Sequence, residues 1–264
     1  YFNGKDGQVL VLCGDTPLIT SDTISRTFEI HSKNNNSATI ITAELENPAG
    51  YGRIVRDENN NVLKIVEDRD ATESEKAIKE INSGMYCFNI RDLESALGEL
   101  GNNNSQGEYY LTDTIEILIK KGLKVGAVKV NDNNEILGIN DRVQLSMANE
   151  ILRKRILTNH MRNGVTIIDP NNTYIDGGVN IGMDTIIYPG SIIEGNTEIG
   201  EDCIIGPSSR IVGSKVSNSV EVKNSVVLES TVDEGTSIGP FAYIRPGSTI
   251  GKKVKIGDFV EVKK

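Results

Sequence analysis

From residue 175 onward an aliphatic side chain recurs at every sixth position: Ile175, Ile181, Ile187, Ile193, Ile199, Ile205 and Ile211. The phase then slips and resumes through Val226, Val232, Ile238, Ile244, Ile250, Ile256 and Val262. If aliphatic residues make up about a quarter of a chain, such a run has chance odds on the order of 10⁻⁷. A helix has no use for a period of six. A strand uses a period of two, so a turn must follow within a few residues. The sequence supplies one. Gly182, Gly200, Gly206, Gly239 and Gly257 directly follow anchors, and small or β-branched residues (Val179, Thr185, Ser191, Thr197, Cys203, Ser209) stand four places after them. Three hexapeptides then make one triangular coil with its anchors inside, and each coil buries them only by stacking on the next. The slip spans the fifteen residues from Ile211 to Val226, with Ser217 and Lys223 where anchors would fall; it reads as a distorted coil or a small loop.

Residues 141–163 carry Val143, Met147, Ile151, Leu152, Ile156 and Leu157 at helical spacing, with Asn140 or Asp141 able to cap the start and Gly164 the end. The spacing predicts a connecting helix. His160, near its C-terminal end, reads as a capping or packing residue. Before the helix, strand signals (8–13, 38–43, 62–67, 85–89, 125–130) alternate with helix signals (20–32, 111–121). That alternation predicts a largely parallel, covered sheet. Asn runs at 34–36, 59–61 and 102–104 mark exposed turns. The expected organisation is an α/β region at 1–140, a linker helix at 141–164 and a solenoid at 165–264.

Composition narrows the function classes. The 264 residues allow one or two domains, and 38% apolar with 25% charged residues is a globular balance. A formal charge of −9 argues against a general nucleic-acid binder, which needs a basic stripe; a few Lys or Arg residues can still serve a small phosphate. No stretch approaches the roughly 18 apolar residues of a membrane span. The apolar run Val9 to Leu12 is too short, and lacks the basic flank, for a leader. Cys13, Cys87 and Cys203 are odd in number and far apart, which gives neither a disulfide framework nor a zinc spacing and fits a reduced, cytoplasmic compartment.

The strand VLVLCGD carries the first candidate chemistry. A carboxylate directly after a strand and followed by a turn-setting Pro17 sits at a sheet edge, where ligands bind in open α/β folds. Asp15 there can ligate Mg²⁺, a hard cation that takes oxygen donors. It can equally begin the turn that caps the next helix, and spacing leaves both readings open. Other phrases follow in order: YGRI (51–54), IVEDRDA (65–71), EINSGMY (80–86), EYYLTD (108–113), GINDR (138–142), RPG (245–247) and EVKK (261–264).

Together with CGDTPL and the hexapeptide array, this ordered set resembles the bacterial bifunctional N-acetylglucosamine-1-phosphate uridylyltransferases and glucosamine-1-phosphate acetyltransferases along essentially the whole chain. The resemblance implies a Rossmann-like nucleotidyltransferase fold, then a linker helix, then the left-handed parallel β-helix of hexapeptide-repeat acyltransferases. It implies Mg²⁺ held by Asp15 and Asn140, and backbone contacts from Cys13 and Gly14 to the uridine nucleotide. Gly52 matches a position close to the sugar nucleotide, and Glu67 with Asn82 the pair that hydrogen-bonds the amino sugar. Without the resemblance these three read as a turn glycine, a solvated strand-end carboxylate and a turn Asn. Thr112 resembles a sugar-pocket position, and a helix N-cap suits it equally. Arg245 and Lys263 match cations that hold a phosphate in the acetyltransferase site; the alternative is solvated surface charge. The implied substrates are UTP, N-acetylglucosamine 1-phosphate and glucosamine 1-phosphate, with acetyl-CoA as co-substrate. The implied assembly is a homotrimer through the β-helix, without nucleic acid or membrane.

Two parts of the family pattern are not found: the G-x-G-T-x-M loop with its following Lys, and the general-base His of the acetyltransferase half. Neither His31 nor His160 lies in the solenoid, so no catalytic residue is assigned. With Tyr1 in place of Met and an end on Lys263-Lys264, the expectation is an internal piece of a bifunctional enzyme with little activity of its own. The alternatives are another sugar-nucleotide pyrophosphorylase with a hexapeptide tail, of the glucose-1-phosphate adenylyltransferase type, or a non-catalytic scaffold or regulatory subunit.

Overall fold

In the computed structural model, which describes residues 4–102 and 107–263, the chain separates into two compact units, Tyr1–Ala148 and Asn149–Lys264. The first contains β1 (Gln8–Val11), α1 (Ser21–Lys33), β2 (Ala38–Glu44), β3 (Arg53–Arg56), β4 (Val62–Val66), α2 (Glu73–Lys76), β5 (Glu80–Asn89), α3 (Ile90–Leu97), α4 (Asp113–Lys120) and β6 (Val125–Lys129). A long helix, α5 (Arg142–Arg162), follows as the periodicity predicted.

The sheet runs β4-β3-β5-β2-β6, with β1 also on β5. Only β2 and β6 pair in parallel; β5 lies antiparallel to β1, β2 and β3, and β3 antiparallel to β4. The largely parallel sheet expected from the sequence is therefore a mixed one. The error came from β5. Its first half, Glu-Ile-Asn-Ser-Gly, is polar and glycine-bearing and hides a ten-residue strand. The β3–β4 hairpin was hidden too; a link of five residues, Asp57 to Asn61, forces antiparallel pairing because a parallel return needs a dozen or more.

Burial of both sheet faces shows along β2. Ile40 packs with Ile54, Phe88, Ile115 and Leu118, while its neighbour Ile41 packs with Ile81, Met85 and Ile136 on the opposite side. β1 is different: among the described residues it has one partner strand, its apolar residues are half-buried and Leu12 is exposed. The Asn runs are exposed at 34–35, 59–61 and 102, whereas Asn36 is buried, with Nδ2 donating to Thr39 Oγ1 at 2.9 Å. Asn103 and Asn104 lie outside the described residues.

The second unit is a parallel β-helix of three faces. One stacks the pairs ending in Ile167, Ile187, Ile205, Val222, Ile238 and Ile256, and the next those anchored by Ile175, Ile193, Ile211, Val227, Ile244 and Val262. The third is anchored by Ile181, Ile199, Val216, Val232 and Ile250. These anchors, with Leu157 of α5, form one continuous core. Small side chains four places after the anchors are buried where the coil turns, and their hydroxyls satisfy backbone groups. Thr185 Oγ1, for example, donates to Gly200 O at 2.8 Å and accepts from Cys203 N at 3.0 Å.

The phase slip proves to be a tightened coil without an inserted loop. Ile193 pairs with Ile211, eighteen residues on, but Ile211 pairs with Val227, sixteen on. Two corners of this coil, 211–216 and 222–227, each lose a residue, and the next corner, 227–232, loses a third, so the inward positions become Val216, Val222, Val227 and Val232. Val226, expected as an anchor, instead lies next to the buried Val227 and is half-buried. His160, expected at the surface, is 8% exposed, and that burial lowers its pKa. It is a packing residue.

Candidate functional site

The site in the first unit is built at a break along one edge of β5. β1 pairs with residues 86–89 of that edge, and β3 joins it at Ile81, which leaves Asn82 to Met85 between them. On the other edge the β2 register jumps: Ile40 faces Tyr86 and Thr42 faces Asn82, so three residues oppose Ile41. This bulge re-aims the strand, as bulges beside binding sites do. It requires a left-handed residue, and Gly84 has φ +77°. Side chains replace the lost ladder. Ser83 Oγ donates to Ile41 O at 2.6 Å and accepts from Met85 N at 3.2 Å, while Gly84 N donates to Asn82 Oδ1 at 3.1 Å.

The chain leaving β1 enters this gap. Cys13 Sγ lies 3.5 Å from Gly84 O, and a Cβ on Gly84 would sit 3.0 Å from that sulfur. Burial, then the Asp15 charge, pushes the Cys13 thiol up. Thr16 closes a turn, with Oγ1 donating to Cys13 O at 3.0 Å. A Cβ on Gly14 would meet nothing within 4 Å, so the backbone here is open to a ligand. The helix-cap reading of Asp15 fails: Thr20 caps α1, accepting from Thr23 N at 3.2 Å. Asp15 instead meets the segment before α5, its carbonyl accepting from Ile139 N at 2.9 Å. A Cβ on Gly138 would lie 3.4 Å from Asp15 Oδ2 and 4.0 Å from Asn140 Nδ2. The two predicted metal ligands, 125 residues apart in sequence, therefore flank one glycine.

At the other end of the gap, Gly52, Glu67, Asn82 and Thr112 meet. Asn82 N donates to Gly52 O at 2.8 Å, and a Cβ on Gly52 would lie 3.5 Å from both Glu67 oxygens. Thr112 Oγ1 donates to Glu67 Oε1 at 3.1 Å and makes no cap bond to α4. Thr112 thus stands at the N-cap position of α4, but its hydroxyl goes to Glu67 instead of capping the helix. Asn82 Nδ2 donates to Tyr86 Oη at 2.7 Å, and burial holds the Tyr86 phenol well above its ordinary range. Sequence reasoning missed Tyr86, Ser83, Gly84 and Gly138, although all lie inside phrases it had singled out.

In the β-helix, Tyr243 pairs with Glu261 and Ile244 with Val262, which sets Arg245 beside Lys263. Both cations turn to one carboxylate: Arg245 Nε lies 3.1 Å from Glu261 Oε1, and Lys263 Nζ 3.5 Å from Glu261 Oε2. The cluster is about half exposed. Lys264, the last residue of EVKK, is outside the described residues.

Residues 1–146 match the family model described as nucleotidyl transferase, and the chain belongs to that family. Residues 170–264 match a model described as the GMPPB C-terminal domain. Among curated proteins, the bifunctional protein GlmU of Acetivibrio thermocellus is 69% identical over 264 residues, covering 100% of this chain and 57% of the relative. The proteins of the same name from Clostridioides difficile (strain 630) and Clostridium novyi (strain NT) are 56% and 57% identical, again over 100% of this chain and covering 57% and 58% of their own lengths. The chain thus spans a little over half the length of these relatives. Among the described residues, no helix is long and apolar enough to cross a membrane.

Proposed function

We propose that the first unit binds a uridine nucleotide and N-acetylglucosamine 1-phosphate for uridylyl transfer, and that the β-helix is part of an acetyltransferase acting on glucosamine 1-phosphate with acetyl-CoA. The observation that carries the reading is the convergence on one gap in the sheet of Asp15 and Asn140 at one end and Gly52, Glu67, Asn82 and Thr112 at the other. The similarity to the bifunctional proteins of three clostridial relatives supports it.

The donors fit Mg²⁺. A carboxylate and an amide oxygen are hard ligands, and Mg²⁺ usually takes one or two protein groups and fills its shell with phosphates and water. When bound, the ion would neutralise phosphate charge as the sugar phosphate attacks and pyrophosphate leaves. The open backbone at Cys13 and Gly14 would receive the nucleoside. Glu67 would accept a hydrogen bond from a sugar hydroxyl, and Asn82 would present its amide to the acetamido group. Alignment of the two substrates is the main contribution of the chain's own residues.

In the β-helix, Arg245 and Lys263 would exchange Glu261 for a phosphate. Tyr174, Ile192, Phe241 and Phe259 are exposed on or beside one face, with the two Phe rings stacked at 5.3 Å. That apolar surface supports association with further copies, in the proposed homotrimer. The proposed domain limits are 1–140, 141–164 and 165–264, and the proposed location is the cytoplasm.

Calorimetric titration of the chain with UDP-N-acetylglucosamine and with ADP-glucose, with and without MgCl₂, tests this reading. Expected is a preference for the uridine sugar and a Mg²⁺ dependence lost in Asp15→Ala. Preference for ADP-glucose would favour the adenylyltransferase alternative; binding of neither would favour the scaffold.

A further inference from the structure

Arg53 is among the largest fully buried side chains, only 2% exposed, yet it carries a charge. It begins β3, one residue after Gly52. Its guanidinium donates to the Tyr51 carbonyl and, through the same head group, to Asp68 Oδ1 at 2.9 Å. Asp68 follows Glu67 and also accepts the Gly50 N–H. Four groups thus form a closed set: Gly50 to Asp68, Asp68 to Arg53, Arg53 to Tyr51. The β3–β4 ladder pairs Arg53 with Val66 and goes no further, so Gly52 and Glu67 lie at the open end of a hairpin. Hairpin ends fray unless something ties them. The tie runs from Arg53, one residue inside Gly52 on β3, to Asp68, one residue past Glu67.

Stability alone does not account for this choice. Arg53 Nε is buried without a hydrogen-bond partner. An orphaned buried donor is costly, and the Asp68 carboxylate is 32% exposed, so solvent screens the pair and leaves it little to add to stability. What the pair fixes is geometry. It holds the Gly50–Gly52 segment against the Glu67 strand end, so that Gly52 O meets Asn82 N and the Gly52 α-carbon faces Glu67.

Resting on the uridylyltransferase reading above, we propose that Arg53 and Asp68 are positioning residues that set the amino-sugar end of the pocket. Neither touches the substrate. They fix the spacing between the glycine wall and the Glu67 carboxylate, and they leave the nucleoside end, built on Cys13 to Asp15, unaffected.

The test compares UDP-N-acetylglucosamine with UDP as ligands of the chain, by calorimetry. Asp68→Ala should weaken the sugar nucleotide about tenfold and UDP by less than about twofold, as loss of a charge-assisted tie at one end predicts. Asp68→Asn, which keeps an acceptor oxygen, should recover most of the loss. Arg53→Met combined with Asp68→Ala guards against simple unfolding: its thermal midpoint should equal or exceed that of the parent chain while the sugar-specific loss persists. Parallel losses for both ligands, or none for either, overturn the inference. If the unsubstituted chain binds neither ligand, the uridylyltransferase reading fails first and the inference falls with it.

Discussion

In the β-helix, Ile211 and Val227 do the same job in successive coils, and the core is a column of such equivalents. In the sheet unit no two site residues are equivalent. Asn82 serves a bulge and a phenol, Gly84 supplies a backbone angle, and Thr112 serves a carboxylate 45 positions earlier. A repeating core distributes specification over many similar positions, and a coil can lose two residues at its corners as long as the next anchors find the column. A single gap in a sheet has no such tolerance, because no group there has an equivalent to replace it.

The largest expected effect tests the register of the tightened coil. Val227→Asp should cost about 3 kcal/mol or more in denaturant unfolding, because an unpaired carboxylate would enter the core. Val226→Asp should change stability by less than about 1 kcal/mol. Equal losses would restore the unbroken six-residue phase and break the account of the coil.

A smaller effect probes the sheet unit's lack of tolerance. Gly84→Ala should cost about 1–2 kcal/mol, since the new side chain adopts φ +77° and presses on Cys13 Sγ. Adding Cys13→Ala should return part of that loss and leave the part due to the backbone angle. Full additivity of the two changes would mean that the sulfur contact carries nothing.

The smallest effect lies at the sheet unit's surface. Lys64, then the Thr72 cap, holds the Glu75 carboxyl at about 2. Its folded value is below the ordinary glutamate value of 4.5, so unfolding takes up a proton as pH falls. The stability it contributes is present above pH 4.5 and is lost as pH falls through about 2. An NMR titration should show the Glu75 carboxyl inflecting near 2, with Lys64→Ala moving it up; an inflection near 4.5 in the parent chain would deny the pairing.

The difference between the units also explains what could be read in advance. The hexad gave the β-helix, its inward residues and its turns, because periodicity is a local signal repeated many times. Between Ile211 and Val232 it showed a slip but missed Val216, Val222 and Val227 by one residue each, since a six-residue count does not say which corners have shortened until the partner strands are known. Helices α1, α4 and α5 were legible for the same local reason, and so was the Asp15 turn. β5 was not, because its polar first half becomes a strand only through neighbours on both edges.

For the site, the sequence determined the residue types. It placed a carboxylate after β1, a glycine in YGRI, a carboxylate and an amide in the phrases after β4 and in β5, and an Asn two residues after a glycine before α5. What the tertiary structure decided was their company. Only the fold sets Asp15 beside Asn140, turns the Thr112 hydroxyl from a cap to a partner of Glu67, and buries Arg53 against Asp68 behind Gly52. Those pairings join residues up to 125 positions apart. Local periodicity and propensity act over a few residues, whereas contacts of that separation exist only once the sheet has closed around its bulge.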